Sequence, residues 1–241
     1  KPMGELGFFG TVIPEEYGGN NMGWLAAMII TEEIARASSS LRVQVNMQEL
    51  GCAFTILRYG SDELKKKYIP GLVNADILGA FAITEPQAGS DVIKSTAEDK
   101  GDHWLINGTK TWISNATIGD INVFYAYTDR SKGAAGLSAF IVELKNFNGI
   151  TVTDLDKMGS RSSPTGEIIL ENTKVPKGNI LGKPGDGAKI VFGSLSQTRL
   201  SAAAGGIGLA QACLDTVTKY AMEREQFGKP IGTFQMIQDQ I

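Results

Sequence analysis

Side chains able to do chemistry are few in kind along this sequence. It has one histidine, His103, and two cysteines, Cys52 and Cys213, far apart in the chain. A four-ligand zinc site and a Ser-His-Asp triad both need more than that. His103 reads as a surface turn residue, and each cysteine, set in an apolar helical pattern, reads as a buried free thiol. What is left are hydroxyls, carboxylates, arginines and indole rings. Many of them gather in Ala82-Ile83-Thr84-Glu85-Pro86-Gln87-Ala88-Gly89-Ser90-Asp91 and, about twenty residues later, in Lys110-Thr111-Trp112-Ile113-Ser114-Asn115. Arg42 follows the run Ser38-Ser39-Ser40, and Arg224 opens Arg224-Glu225-Gln226-Phe227-Gly228. Taken singly, the first two segments are a strand, a proline turn and a hairpin, and Arg224 is one of several surface charges on a helix. Two glycine stretches fail as nucleotide loops. Gly205-Gly206-Ile207-Gly208 lies within a helical pattern instead of between a strand and a helix, and Gly178 to Lys183 has the wrong spacing, with Pro184 where a magnesium-binding hydroxyl would stand.

The elements that must hold these residues fall into three stretches. Residues 1–78 read as helical and incomplete. Leu25, Met28, Ile29 and Ile34 mark one face before the serine run. A second helix carries Leu50, Phe54 and Leu57 and ends at Gly60, suited to a left-handed C′ position. Ser61 caps the next helix, Asp62 and Glu63 favour its first turn, and Pro70 marks its end. From Gly79 to residue 186 the period changes to two. Trp104-Leu105-Ile106 and Thr109 to Ile113 flank Asn107-Gly108, which predicts a tight hairpin. Further strands are expected at 121–128, 136–144, 150–156 and 167–175, giving an antiparallel barrel or sandwich. After Pro184-Gly185-Asp186-Gly187 the helical period returns through about Arg224. Gly205, Gly206 and Gly208 inside that helix predict close approach of a neighbouring backbone, because each costs about 1 kcal/mol relative to alanine otherwise. Residues 187–241 thus read as the start of a second helical domain. A fresh helical pattern (Phe234, Ile237, Ile241) has no stop signal, and the chain reads as an internal fragment of a longer protein.

With 241 residues, 42% hydrophobic content and a net charge of −3, the chain can fill a core but offers no basic stripe for nucleic acid. No run of membrane-span length and no signal peptide in residues 1–30 are evident, so a soluble protein of a reducing compartment is expected.

The two segments at 82–91 and 110–115 resemble the flavin-binding signature of acyl-CoA dehydrogenases. Pro14-Glu15-Glu16-Tyr17-Gly18-Gly19 and Arg224-Glu225-Gln226-Phe227-Gly228 extend the resemblance over the whole chain. It implies an N-terminal helical domain, a middle β domain and a C-terminal helical domain, assembled as a homodimer or homotetramer around FAD. The flavin ring is then expected against Phe81, Ala82, Ile83 and Thr84 and against Trp112, Ile113 and Ser114, with Gly89 and Ser90 also binding the cofactor. Such a ring needs an apolar wall and hydrogen-bond partners at its edge. Thr84 and Ser114 are the expected hydroxyl donors, with Trp112 shielding the ring. Ser90 serves flavin phosphate and pantetheine arm alike. Arg224, Phe227 and Gln235 resemble residues that reach the FAD of a neighbouring subunit. One departure is Lys94, three positions after Asp91, where the family usually has a small residue.

Phe192 to Arg199 matches the family's acyl-CoA contact segment, with Leu195 and Ser196 lining the channel and Arg199 either binding near the thioester end or supporting that wall. Arg42, with Val43 beside it, stands at the distal end of the acyl pocket and aligns with the arginine by which glutaryl-CoA dehydrogenases hold the far carboxylate. A guanidinium there is costly unless an anion meets it. The alternative is an arginine at a helix end paired with Glu49. Decarboxylating members have a glutamate and a serine at the positions of Ala35 and Val43, so dehydrogenation without loss of carbon dioxide is expected here. The carboxylate base of the family lies beyond Ile241, and electron-transfer flavoprotein is the family's usual acceptor. Other readings are a short-chain, branched-chain or alicyclic acyl-CoA dehydrogenase, a decarboxylating glutaryl-CoA dehydrogenase, or a non-enzymatic homologue that keeps the fold. The resemblance places the protein in the cytoplasm of a bacterium or the mitochondrial matrix of a eukaryote.

Overall fold

A computed structural model describes residues 1–89 and 93–241. The first helix, α1 (Pro2–Glu5), is a single turn, and a loop then leads to α2 (Gly23–Ala37). Ser38 breaks the helical run in an extended conformation (φ −162°), and its side chain accepts from the Leu41 N–H to start α3 (Ser39–Val45). The helix does not stop there: Asn46–Ala53 continues as a π-helix and passes into α4 (Phe54–Tyr59). Ser61 caps α5 (Asp62–Val73) as expected, its side chain accepting from the Leu64 N–H.

Three expectations for this region fail. Leu25 and Ile29 are exposed, while Ala27, Thr31 and Ala35 form the buried side of α2. Small side chains are needed there because α2 lies almost backbone to backbone with another helix. Gly60 is extended (φ −74°, ψ 152°), not left-handed. Glycine is needed because a Cβ would lie 2.6 Å from the Ile56 carbonyl oxygen. Pro70 does not end α5, which runs on to Val73.

The middle of the chain is a mixed eight-stranded sheet. Its strands are β1 (Gly79–Ala82), β2 (Thr96–Asp99), β3 (His103–Ser114), β4 (Ile121–Tyr127), β5 (Leu137–Glu143), β6 (Ile150–Asp154), β7 (Thr165–Pro176) and β8 (Ile180–Leu181). The spatial order is β6-β7-β3-β2-β4-β5-β8, with β1 on β4. Most pairs are antiparallel, but β1 and β2 both run parallel to β4. Alternation along β4 divides the core. Ile121, Val123 and Tyr125 face the helical layer with Ile56, Leu64, Tyr68 and Ile190, while Phe124 and Ala126 pack with Trp104, Phe140 and Leu170 on the other side.

The hairpin expected at Asn107-Gly108 is absent. β3 runs straight through it, paired with β7 from His103 to Ser114, and only a bulge marks the site. Asn107 accepts from the Asn172 N–H (2.7 Å) across that bulge, and a Cβ on Gly108 would fall 2.4 Å from the Ser95 Cβ. The true turn joins β2 to β3 at Gly101 (φ +90°), which leaves His103 as a half-buried first strand residue beside Asp102.

Helix α6 (Gly187–Glu223) returns across the helical layer, followed by a small hairpin of β9 (Glu225–Gln226) and β10 (Lys229–Pro230) and by α7 (Gln235–Gln240). Gly208 packs where a Cβ would lie 2.1 Å from the Glu32 carbonyl oxygen of α2, and Gly205 lies against Arg42; Gly206 touches nothing within 4 Å. Two of the three glycines therefore serve close approach. Cys52 is buried as expected, but Cys213 is exposed on the uncovered side of α6. By length and composition alone α6 is apolar enough to cross a membrane, a property it owes to its alanines, glycines and leucines, but one of its faces packs against α2.

Candidate functional site

The segment after β1 is held by a buried ion pair. Glu85 and Lys110 meet at 2.8 Å, and their side chains are 2% and 0% exposed. The carboxylate also accepts from the Lys94 N–H (2.6 Å), the Ser95 N–H (3.1 Å) and the Ser95 hydroxyl (2.6 Å). Lys110 donates in turn to the Ile83 carbonyl (3.1 Å) and sits 5.0 Å from the Phe124 ring centroid. Burial pushes Glu85 up, but Lys110 and the hydroxyl and amide donors outweigh it and hold the carboxyl well below its ordinary range. Burial pushes the Lys110 ammonium down. Sequence reasoning quoted both residues and gave neither a role. Nothing in a linear sequence links positions 25 apart, one in a loop and one on a strand.

This pair fixes Ile83 and Thr84 next to β3, where the Thr111 N–H donates to the Thr84 carbonyl at 2.9 Å. There β3 bulges between Lys110 and Ile113, and Trp112 takes a left-handed backbone (φ +59°) that is rare for an aromatic residue. The bulge turns the indole outward, 58% exposed, while Ile113 stays in the core. Asn115 (φ +66°) ends the strand, its amide donating to the Gly79 carbonyl at 2.9 Å. An apolar indole presented at this cost beside half-buried Thr84 and Ser114 suits a planar ring with polar edges, the chemistry of an isoalloxazine. Phe81 packs edge-on against Tyr125 (5.4 Å) and Ala82 is fully buried, so those two and Ile113 can offer such a ring only backbone and wall. Ser90 lies outside the described residues.

A cleft of about 430 Å³ opens beside this loop. Ile83 and Gly89 line it from the loop, Tyr127 from β4, and Phe192, Leu195 and Arg199 from α6. Two segments that sequence similarity treated separately thus meet. Ser196 does not join them: it is exposed, and its hydroxyl donates to the Phe192 carbonyl at 3.0 Å.

Arg42 packs against α6 further along that helix. It is half-buried on α3, and its side chain rests on Gly205, where a Cβ would stand 2.8 Å from Nε. Gly205 is six residues past Arg199, about 9 Å at 1.5 Å per residue. Pairing with Glu49 is excluded, because Glu49 Oε1 accepts instead from the Thr11 hydroxyl (2.5 Å) and the Val12 N–H (2.9 Å). Among the described residues no carboxylate forms an ion pair with Arg42, and burial pushes its pKa down. Ala35 is buried and Val43 half-buried nearby in sequence. Arg224, Phe227 and Gln235 are all exposed, away from the cleft. Phe227 (φ +56°) packs edge-on to Phe234 at 6.2 Å. Among the described residues no group of three or more His, Cys, Asp or Glu could hold a metal ion.

A helical layer, a β sheet with a strained tryptophan at its rim, and a long helix closing the cleft define a flavin-dependent dehydrogenase architecture. Three models of one family match in order: acyl-CoA dehydrogenase N-terminal domain over residues 1–76, middle domain over 80–173 and C-terminal domain over 185–241. The chain belongs to the acyl-CoA dehydrogenase family, whose cofactor is FAD. It is 70% identical to glutaryl-CoA dehydrogenase of Desulfococcus multivorans over all of this chain and 63% of that protein. It is 42% identical to mitochondrial 2-methylacyl-CoA dehydrogenase of Solanum tuberosum, over 59% of that protein. A solved glutaryl-coenzyme A dehydrogenase glutaryl-CoA complex superposes with a TM-score of 0.97 at 70% identity, covering 99% of this chain and 61% of that one. The chain therefore spans about three-fifths of the length of the relatives it matches.

Proposed function

We propose that the full-length protein dehydrogenates glutaryl-CoA between the α- and β-carbons and releases glutaconyl-CoA with the distal carboxylate intact. The observation that carries the reading is Arg42: a half-buried guanidinium with no carboxylate partner among the described residues, seated on a glycine that leaves room for it. Similarity to glutaryl-CoA dehydrogenase of Desulfococcus multivorans supports the same substrate. FAD, when bound, accepts the hydride. The chain's own residues bind and orient. Trp112, Thr84 and Ser114 would hold the ring, and Phe192, Leu195 and Arg199 would wall the thioester arm. Arg42 would place the far carboxylate by two parallel charge-assisted bonds. Ala35 and Val43 have no proton to give or take, so nothing at those positions relays a proton to the γ-carbon and the carboxylate is retained. Arg224, Phe227 and Gln235 would cover a second subunit's FAD, and electron-transfer flavoprotein would reoxidise it.

Product analysis of full-length enzyme with glutaryl-CoA and an artificial electron acceptor is the test, with glutaconyl-CoA expected. Crotonyl-CoA with carbon dioxide as the main product overturns retention of the carboxylate. Arg42→Ala is expected to lower kcat/KM for glutaryl-CoA by roughly two orders of magnitude, with less effect on butyryl-CoA. Equal loss on both would make Arg42 structural.

A further inference from the structure

Buried polar atoms without partners are few in folded proteins, and each calls for an explanation. Among those in this chain are Asn46 Oδ1 at the start of the π-helix and, on α6 packed against it, Gln197 Oε1 and the Ser201 hydroxyl. Asn46 is 6% exposed and Ser201 is fully buried, yet the Asn46 Oδ1 and the Ser201 hydroxyl have no hydrogen-bond partner among the described residues. The contact is antiparallel. Arg42 rests on Gly205, and 13 residues later Thr55 meets Ser194, hydroxyl to hydroxyl at 2.8 Å. Asn46 stands one turn past Arg42 on the same helix face, and Ser201 one turn before Gly205 on α6. This register sets Asn46 and Ser201 at the same level of the helix contact, one turn from where Arg42 rests on Gly205.

We infer that Asn46 and Ser201 complete, with Arg42, a polar clamp for the free end of the acyl chain, and that they determine specificity for a chain ending in a carboxylate. A carboxylate has about four lone-pair sites, of which an arginine fork fills two. The Ser201 O–H and the Asn46 amide N–H, its oxygen and nitrogen being interchangeable by a flip, can donate to the remainder. An alkyl end in the same place leaves all three unpaired, which is how a polar site rejects an apolar analogue. The chain begins its π-helix at Asn46, a local feature frequent at functional sites. The inference rests on the glutaryl-CoA reading above.

The test uses full-length, FAD-loaded enzyme carrying Ser201→Ala or Asn46→Leu, with glutaryl-CoA and pentanoyl-CoA, which differ only in carboxylate against methyl. Each variant is expected to lose about tenfold to a hundredfold in kcat/KM for glutaryl-CoA, carried mainly by KM, and to hold or gain on pentanoyl-CoA. Combined with Arg42→Ala, the losses are expected to fall short of additive, because the groups share one ligand. Equal losses on both substrates, or additivity with Arg42→Ala, overturn the clamp. Ser201→Ala keeps helix-forming character and closely similar volume, so it decides the question even if Asn46→Leu fails to fold. If Arg42→Ala discriminates the substrates and neither of these variants does, this inference falls and the glutaryl-CoA reading stands. If Arg42→Ala does not discriminate either, that reading falls with it.

Discussion

Two buried glutamates show how the same side chain takes opposite roles. Glu85 is held near pKa 2 by Lys110 and the Ser95 and Lys94 donors, against the push of burial. Its contribution to stability is present above the ordinary carboxylate range and is lost as pH falls toward that value. Removing its partner leaves a buried, uncompensated charge. Lys110→Met is expected to destabilise the full-length protein by about 3–5 kcal/mol and to reduce FAD content, because the pair anchors Ile83 and Thr84. Denaturant melts and flavin absorbance are the measurements, and an unchanged midpoint would remove the pair from the account of the loop. Glu49 is different: burial pushes it up to about 7, only partly offset by the bonds from Thr11 and Val12. A raised pKa gives stability that is complete below the ordinary range and is lost as pH rises through about 7. Glu49→Gln keeps an acceptor for the Val12 N–H and removes the charge. It is expected to raise stability by about 1–3 kcal/mol near pH 8 and by little near pH 5. An identical gain at both pH values would contradict this.

Helix packing is governed by where glycine is compulsory. In α6, Gly208 allows α2 to approach until a Cβ would meet the Glu32 carbonyl at 2.1 Å, whereas Gly206 faces open space in this chain. Gly208→Ala is expected to cost about 1–3 kcal/mol through forced separation of the two helices. Gly206→Ala is expected to be neutral or to gain up to about 1 kcal/mol from helix propensity. Thermal melts of the two full-length variants compare them directly, and similar midpoints would mean that α2 and α6 can shift apart freely. The same close approach explains why the large apolar residues Leu25 and Ile29 are not the buried face of α2.

For the whole molecule, the exposed Arg224, Phe227 and Gln235 lie apart from the cleft of their own chain. Arg224→Ala is expected to weaken FAD retention or subunit assembly, since an anionic pyrophosphate would lose a charge-assisted bond of about 1.5–3 kcal/mol. Flavin-to-protein ratio and sedimentation read the two effects. Unchanged values in both would leave Arg224 as a surface charge.

Family, domain order and most strands were legible along the chain because hydrophobic period and turn chemistry are local properties. The four later period-two stretches became strands within two residues of the expected limits, Ser61 capped its helix, and the long helix ran from Gly187 to Glu223. The segments at 82–91 and 192–199 were singled out by resemblance, and residues of both line one cleft. What sequence could not decide was set by partners distant in the chain. Asn107-Gly108 carries a hairpin signal, but pairing of β3 with β7 on both sides of it offers more hydrogen bonds as one bulged strand than as a turn. Glu85 finds Lys110, Arg42 finds Gly205 in preference to Glu49, and Trp112 is forced outward by a bulge, each through strand register and helix packing. Local energies choose the elements. The site itself is chosen by close packing, where a missing Cβ or a buried charge decides which surfaces can meet.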